Sequence, residues 1–257
     1  MAAPRTLPSI MTPALLKYMQ THPQVPEHTW YFIAATTLTI LNRADEIQVV
    51  FKHALSDSSP DHLPLDCHQQ LLIARRTREA LLKASSVGGV PKTINALLAL
   101  KNVMPANLQA DGFEQQSPTG RRFDVYEVAP SEVLKRGQAF FEKVYGKIAG
   151  RVMRQMDTPG TEDLGLIARL MYAHILSNTR ILNGAETSYV LIAALIPQDV
   201  NPQLKGHLRG AQNGGATVEQ VRAVRNIVMR ICESAGMRKL EDTDITGWGW
   251  REDVATL

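Results

Sequence analysis

From Gln203 to Met237 the chain reads QLKGHLRGAQNGGATVEQVRAVRNIVMRICESAGM, the pattern of a short helix, a glycine turn and a capped second helix. With the first helix starting near Pro202, Leu204, His207, Leu208 and Ala211 fall at i, i+3, i+4 and i+7 and share one face. Lys205, Arg209 and Gln212 fall elsewhere on the wheel. His207 is the one titratable group on the face to be buried. Its chemistry would be general acid–base catalysis, since an ordinary imidazole pKa of about 6.5 leaves both protonation states within reach at neutral pH. A core histidine satisfied by its neighbours carries the same signature, so both readings stand at this point.

The elements that must position this ring are helical. Trp30 to Leu41 (WYFIAATTLTIL) is apolar with few breaks, and Ile47, Val50, Phe51 and Ala54 continue helical spacing. Asp66 followed by Gln69 has the shape of an N-cap with its partner at N3, opening a long helix that stops at Gly88-Gly89 with Pro91 beyond. Thr93 to Lys101 predicts a further short helix. Ser131 is placed to cap a helix running past Phe140, Phe141, Val144 and Tyr145 toward Met156. Helices over Glu162 to Leu176, Ala185 to Ile196 and around His207 and Val221 complete an all-α chain.

Composition bounds the rest. The 257 residues are 44% apolar and 21% charged with a formal charge of +3, ordinary for a globular protein and too apolar for disorder. Positive residues are interspersed with acids, which argues against nucleic acid as a partner. The longest apolar run, Val190 to Ile196, stops at Pro197, short of the roughly 20 residues a membrane span needs. Cys67 and Cys232 form no CxxC pair, so neither a disulfide framework nor a structural metal site is expected. A reducing, cytoplasmic location fits this usage. The first 26 residues are proline-rich, with Arg5 and Lys17 and no acid, which keeps organellar import open, although they lack the arginine density of a presequence. The ending Ala255-Thr256-Leu257 is not a Ser-Lys-Leu peroxisomal address.

A weak repeat organises the chain. Glu27-His28-Thr29-Trp30-Tyr31-Phe32-Ile33-Ala34-Ala35 and Glu186-Thr187-Ser188-Tyr189-Val190-Leu191-Ile192-Ala193-Ala194 match in register, and Asp66 and Thr217 each cap a long helix downstream. This predicts two tandem helical units, each burying its apolar face on the other. The expected boundaries are an N-terminal arm over 1–26, a degenerate first unit over 27–101, a linker over 102–130, a second unit over 131–240 and a tail over 241–257.

The second unit resembles the carboxymuconolactone decarboxylase family, which shares its fold with the alkylhydroperoxidase D-like proteins. The residues that carry the likeness run Gln203-Leu204-Lys205-Gly206-His207-Leu208-Arg209-Gly210-Ala211-Gln212-Asn213-Gly214-Gly215-Ala216-Thr217-Val218-Glu219-Gln220-Val221. They match that family's histidine, Asn-Gly turn and threonine-capped helix, in that order. The likeness is clear from about Arg180 to Met237. It is faint in the first unit, through Arg78 to Lys83 and Gly88-Gly89-Val90-Pro91. The peroxidase branch implies a CxxC before the histidine. Here that region reads IPQDVNPQ over 196–203, without the thiolate such chemistry needs. Cys67 beside His68 does not replace it, because adjacent helical residues point about 100° apart.

The decarboxylase branch implies a reaction without cofactor: a carboxylate leaves as carbon dioxide, electrons move into an unsaturated lactone, and a proton reaches carbon. In that scheme His207 is the acid–base. The resemblance implies a relay carboxylate upstream, at Glu186, which would raise the imidazole pKa and fix its tautomer. Glu186 could equally be an N-terminal helix charge. Arg180, Tyr189 and His174 are the candidate substrate contacts, arginine for its planar fork toward a carboxylate. The expected partner is a small carboxylate or lactone, and the resemblance implies a homo-oligomer. Three readings follow: a decarboxylase-like lyase, a proton-transfer isomerase on the same fold, and a non-catalytic helical scaffold or binding protein. The two indoles of Thr246-Gly247-Trp248-Gly249-Trp250 could dock on a neighbouring subunit or fold back on their own chain.

Overall fold

Two helices that are apolar on every side sit at the centre, as sequences without a polar face must. A computed structural model describes residues 7–56, 64–109, 117–241 and 247–257. In it α2 (Trp30–Ile40) is buried along its whole length, and α10 (Gly184–Leu195) is buried except at Gly184 and Glu186. These are the helices that hold the two matching sequence segments, and they pack on each other. The rest form a shell: α1 (Pro13–Thr21), α3 (Ala44–Leu55), α4 (Cys67–Gly88), α5 (Val90–Val103), α6 (Arg121–Tyr126), α7 (Pro130–Tyr145), α8 (Ala149–Met156), α9 (Asp163–Met171), α11 (Asn201–Asn213) and α12 (Val218–Ser234). Helices α3, α4 and α5 pack around α2; α11 and α7 cover α10; α12 touches both central helices. The only strands among the described residues are β1 (Arg238–Lys239) and β2 (Gly249–Trp250), paired in parallel, so the fold is all-α. None of the described helices is long and apolar enough to cross a membrane.

Caps set the boundaries. Asp66 with Gln69 and Thr217 with Gln220 close reciprocal capping boxes, as their spacing predicts. Helix α7 begins at Pro130 without a side-chain cap; Ser131 lies inside it, and a proline at the first position needs no N–H partner. The helix expected to run on to Met156 is broken at Gly146, where a 3-10 turn leads into α8. Helix α9 passes into a π-helical turn over Tyr172–Leu176.

The segments expected at the periphery are docked. Backbone N–H groups of Ile10 and Met11 donate to Glu46 at 2.9 and 3.1 Å, and Leu15, Leu16 and Met19 of α1 are buried. In the stretch read as a linker, Arg121 makes a bidentate ion pair with Glu79 at 2.7 and 2.6 Å. Glu79 is 1% exposed, and its neighbour Lys83 is fully buried, donating to the carbonyls of Leu176 and Asn178 at 2.8 Å each. Burial lowers the Lys83 pKa to about 7. Trp250 folds onto its own chain, donating from Nε1 to the Ile196 carbonyl at 2.9 Å, while Trp248 is half exposed; Thr246 lies outside the described residues.

Candidate functional site

Helix α11 lies along α10 closely enough that glycine is required at the contact. A Cβ on Gly214 would stand 2.6 Å from the Ala185 nitrogen. At the middle of α11 the same economy serves the site: a Cβ on Gly206 would stand 2.7 Å from the Tyr145 ring, so its absence lets Tyr145 approach His207 edge-on, with ring centroids 5.9 Å apart at 65°. Leu204, His207, Leu208 and Ala211 are all buried, as their spacing predicts.

The His207 ring is 4% exposed. Its Nε2 lies 3.5 Å from the Tyr145 hydroxyl, and Nδ1 has no hydrogen-bond partner. Burial lowers its pKa to about 4, so the imidazole is neutral at pH 7. Behind Tyr145, the Tyr172 hydroxyl donates to the Tyr145 hydroxyl at 3.5 Å. With that bond accepted, Tyr145 has its own proton for Nε2, giving a chain from Tyr172 through Tyr145 to His207. Phe141 braces both phenols, its centroid 4.5 Å from Tyr145 and 4.8 Å from Tyr172. Burial raises the pKa of both tyrosines.

Tyr145 lines an open cleft of about 900 Å³ between α8 and α11. Lys147, Arg151, Lys205 and Arg209 line it too, with no aspartate or glutamate among the lining residues. None of the four cations is ion-paired among the described residues. Tyr172 lines a second, more apolar cleft of about 510 Å³ on the opposite side of α8, where Phe141, Met153 and Arg154 also face. The phenol pair therefore joins the two.

The other expected site residues do not gather at this ring. Glu186 is the N3 residue of a capping box with Asn183, and its other oxygen takes the Arg76 guanidinium at 2.5 Å. That pair ties α10 to α4, with Arg76 also 5.3 Å above the Phe32 ring. The carboxylate is thus committed to Arg76 and Asn183 and makes no hydrogen bond to His207. Tyr189 is buried near Glu186; burial first, then the Glu186 charge, raises its pKa to about 12. Arg180 is exposed, its guanidinium against Gly120. His174 sits in the π turn, where its carbonyl accepts from Arg121. None of these three lines the basic cleft. Sequence reading passes over Tyr145 and the four cations. The one signal for them is the like-charge pair Lys205 and Arg209 four residues apart on the outer face of α11. Cys67 is exposed at the start of α4 and Cys232 is buried in α12.

Fold and site together define an all-α protein with one sealed, neutral imidazole addressed through a tyrosine to a cationic cleft. No protein-family model matches the chain, and no solved structure matches it. Among curated proteins it is similar to peroxisomal protein 2 of Schizosaccharomyces pombe, 35% identical over 213 residues that span 83% of this chain and 89% of that protein. It is also similar to peroxisomal protein 2 of Saccharomyces cerevisiae, 28% identical over 266 aligned residues, 87% of this chain and 94% of that protein. The chain belongs to the peroxisomal protein 2 family.

Proposed function

We propose that this chain works in the peroxisome, as its relatives' names suggest for them, and that it is a proton-transfer enzyme with a carboxymuconolactone decarboxylase-like fold. Its substrate is a small carboxylated metabolite, and the reaction is a decarboxylation or the related isomerisation. The observation that carries this reading is the Tyr145–His207 contact at the wall of a cleft bearing four cations. In the decarboxylation, the bond to the leaving carboxylate breaks and its electron pair moves into the conjugated system. Tyr145 then turns its O–H away from Nε2 and gives its proton to carbon. The phenolate so formed keeps the hydrogen bond from Tyr172 and is reprotonated from solvent. His207, neutral and behind Tyr145, orients that hydroxyl and exchanges its proton.

The test is a thermal-shift screen of small carboxylic acids and lactones, followed by turnover measured by NMR, on the wild type, His207→Gln and Tyr145→Phe. Turnover lost in both variants supports the assignment. A hit turned over unchanged by His207→Gln refutes it.

One observation favours a second reading, a binding protein without catalysis. Glu186 is neutralised by Arg76, so the imidazole has no acidic partner to raise its pKa. Ligand binding with no turnover of any hit would decide for that reading. Self-association belongs to either. Leu164, Leu166, Ile167, Leu170 and Met171 of α9 are each more than a third exposed, an apolar surface suited to a second copy.

A further inference from the structure

We infer that the cleft beside Tyr145 binds a polyanion, a ligand with at least two negative charges on phosphate or carboxylate groups joined to an apolar part. This rests on reading that cleft as the substrate site and names what the site selects.

Charge count carries it first. One guanidinium fork matches one carboxylate. Here Lys147, Arg151, Lys205 and Arg209 face one cleft with no acid among them, and these four exceed the whole chain's formal excess of +3. Elsewhere Arg43, Arg169 and Arg251 each sit on a nearby aspartate. Spacing adds to it. Lys205 and Arg209 are four residues apart on α11, and Lys147 and Arg151 are four apart across the 3-10 turn and α8. On α11 like charges at that spacing repel and cost the helix a few tenths of a kcal/mol. With no counter-ion for them among the described residues, a bound anion would turn that repulsion into attraction.

The apolar requirement comes from the other lining groups. Val144, Ile148, Val152, Met156 and Leu164 contribute to the same cleft, so a bare inorganic anion would leave apolar wall uncovered. The ligand's charges meet the two basic pairs, and its apolar part lies along α8. Tyr145 is then the polar group at hand for the reacting carbon.

The experiment is calorimetric titration of the full chain with pyrophosphate, citrate, decyl phosphate and decanoate, at low ionic strength and at about 0.15 M salt. Decyl phosphate is expected to bind tighter than pyrophosphate, and decanoate at least about tenfold weaker than decyl phosphate. Pyrophosphate without citrate would assign a phosphate ligand, and citrate without pyrophosphate a polycarboxylate. Either result supports the proposal, with affinity falling as salt rises. Lys205→Glu with Arg209→Glu, two exposed positions, should weaken binding by about tenfold or more while leaving the melting temperature unchanged. His207→Gln should bind as the wild type does. No binding of either polyanion, or equal binding by the charge-reversed chain, overturns the proposal. Retained polyanion binding with no turnover would instead sink only the catalytic reading.

Discussion

The Tyr145 hydroxyl stands 3.5 Å from Nε2 of His207 and is that imidazole's one hydrogen-bonding neighbour among the described residues. The ring is therefore held neutral by burial, and its coupling to solvent runs through a phenol rather than a carboxylate.

Acid should expose this directly. The His207 pKa falls from 6.5 to about 4 on folding, so between those values the unfolded chain binds the proton and the folded one does not. The stability from this group is complete above about pH 6.5 and is lost as pH falls toward 4, about 3 kcal/mol in all. Urea titrations from pH 7 to 4 on the wild type and His207→Gln should show that difference in slope. Parallel curves would refute it.

Lys83 gives a second window of the same sign at higher pH. Its pKa is about 7 folded against 10.5 unfolded, so above pH 7 the unfolded state holds the proton more firmly and folding stability rises with pH. A gain of about 2 kcal/mol between pH 7 and 9 is expected in the wild type and absent in Lys83→Met. Equal gains in both would assign the effect elsewhere.

Glu186→Gln keeps a side chain able to complete the capping box but removes the charge partner of the Arg76 guanidinium, whose side chain is 11% exposed and which keeps its contacts to the His28 carbonyl and the Phe32 ring. A loss of about 1–3 kcal/mol is expected by chemical denaturation. Polyanion binding should be unchanged. A large loss of binding without a stability change would return Glu186 to the site.

Gly214→Ala places a methyl 2.6 Å from the Ala185 backbone, where no side chain can give way. About 1–3 kcal/mol should be lost as α10 and α11 are pushed apart. A neutral melting curve would show that the contact is looser than described.

Self-association is read by light scattering. The wild type is expected above its 28.4 kDa chain mass, and Leu166→Glu with Ile167→Glu on α9 is expected at that mass. A wild-type monomer would leave the exposed apolar residues of α9 without a partner copy.

Much of the fold is legible in the residues. Helices α4 and α12 announce their starts through Asp66 with Gln69 and Thr217 with Gln220, and α2 and α10 announce their central place by having almost no polar face. The burial of His207 follows from its spacing alone. Its partner does not. Tyr145 looks like one more apolar residue of α7, and only tertiary packing carries it across 62 positions to the imidazole. Glu186 misleads for a local reason: an N3 glutamate opening a helix has the same signature whether it serves a neighbour's ring or its own cap. The basic cleft is half legible. Lys205 and Arg209 pair by spacing, but nothing in the order of residues brings Lys147 and Arg151 opposite them.

Helix α4 has a consequence for how the protein comes into being. Along one side it sends Arg76 to Glu186, Glu79 to Arg121 and Lys83 to the Leu176 and Asn178 carbonyls, all of which lie later in the chain. A nascent polypeptide halted before residue 117 would hold Arg76, Glu79 and Lys83 without these partners, leaving Glu79 and Lys83 only each other at 3.7 Å. The stretches before and after residue 117 are therefore expected to fold as one cooperative event, and fragments cut between them should gain structure only when mixed.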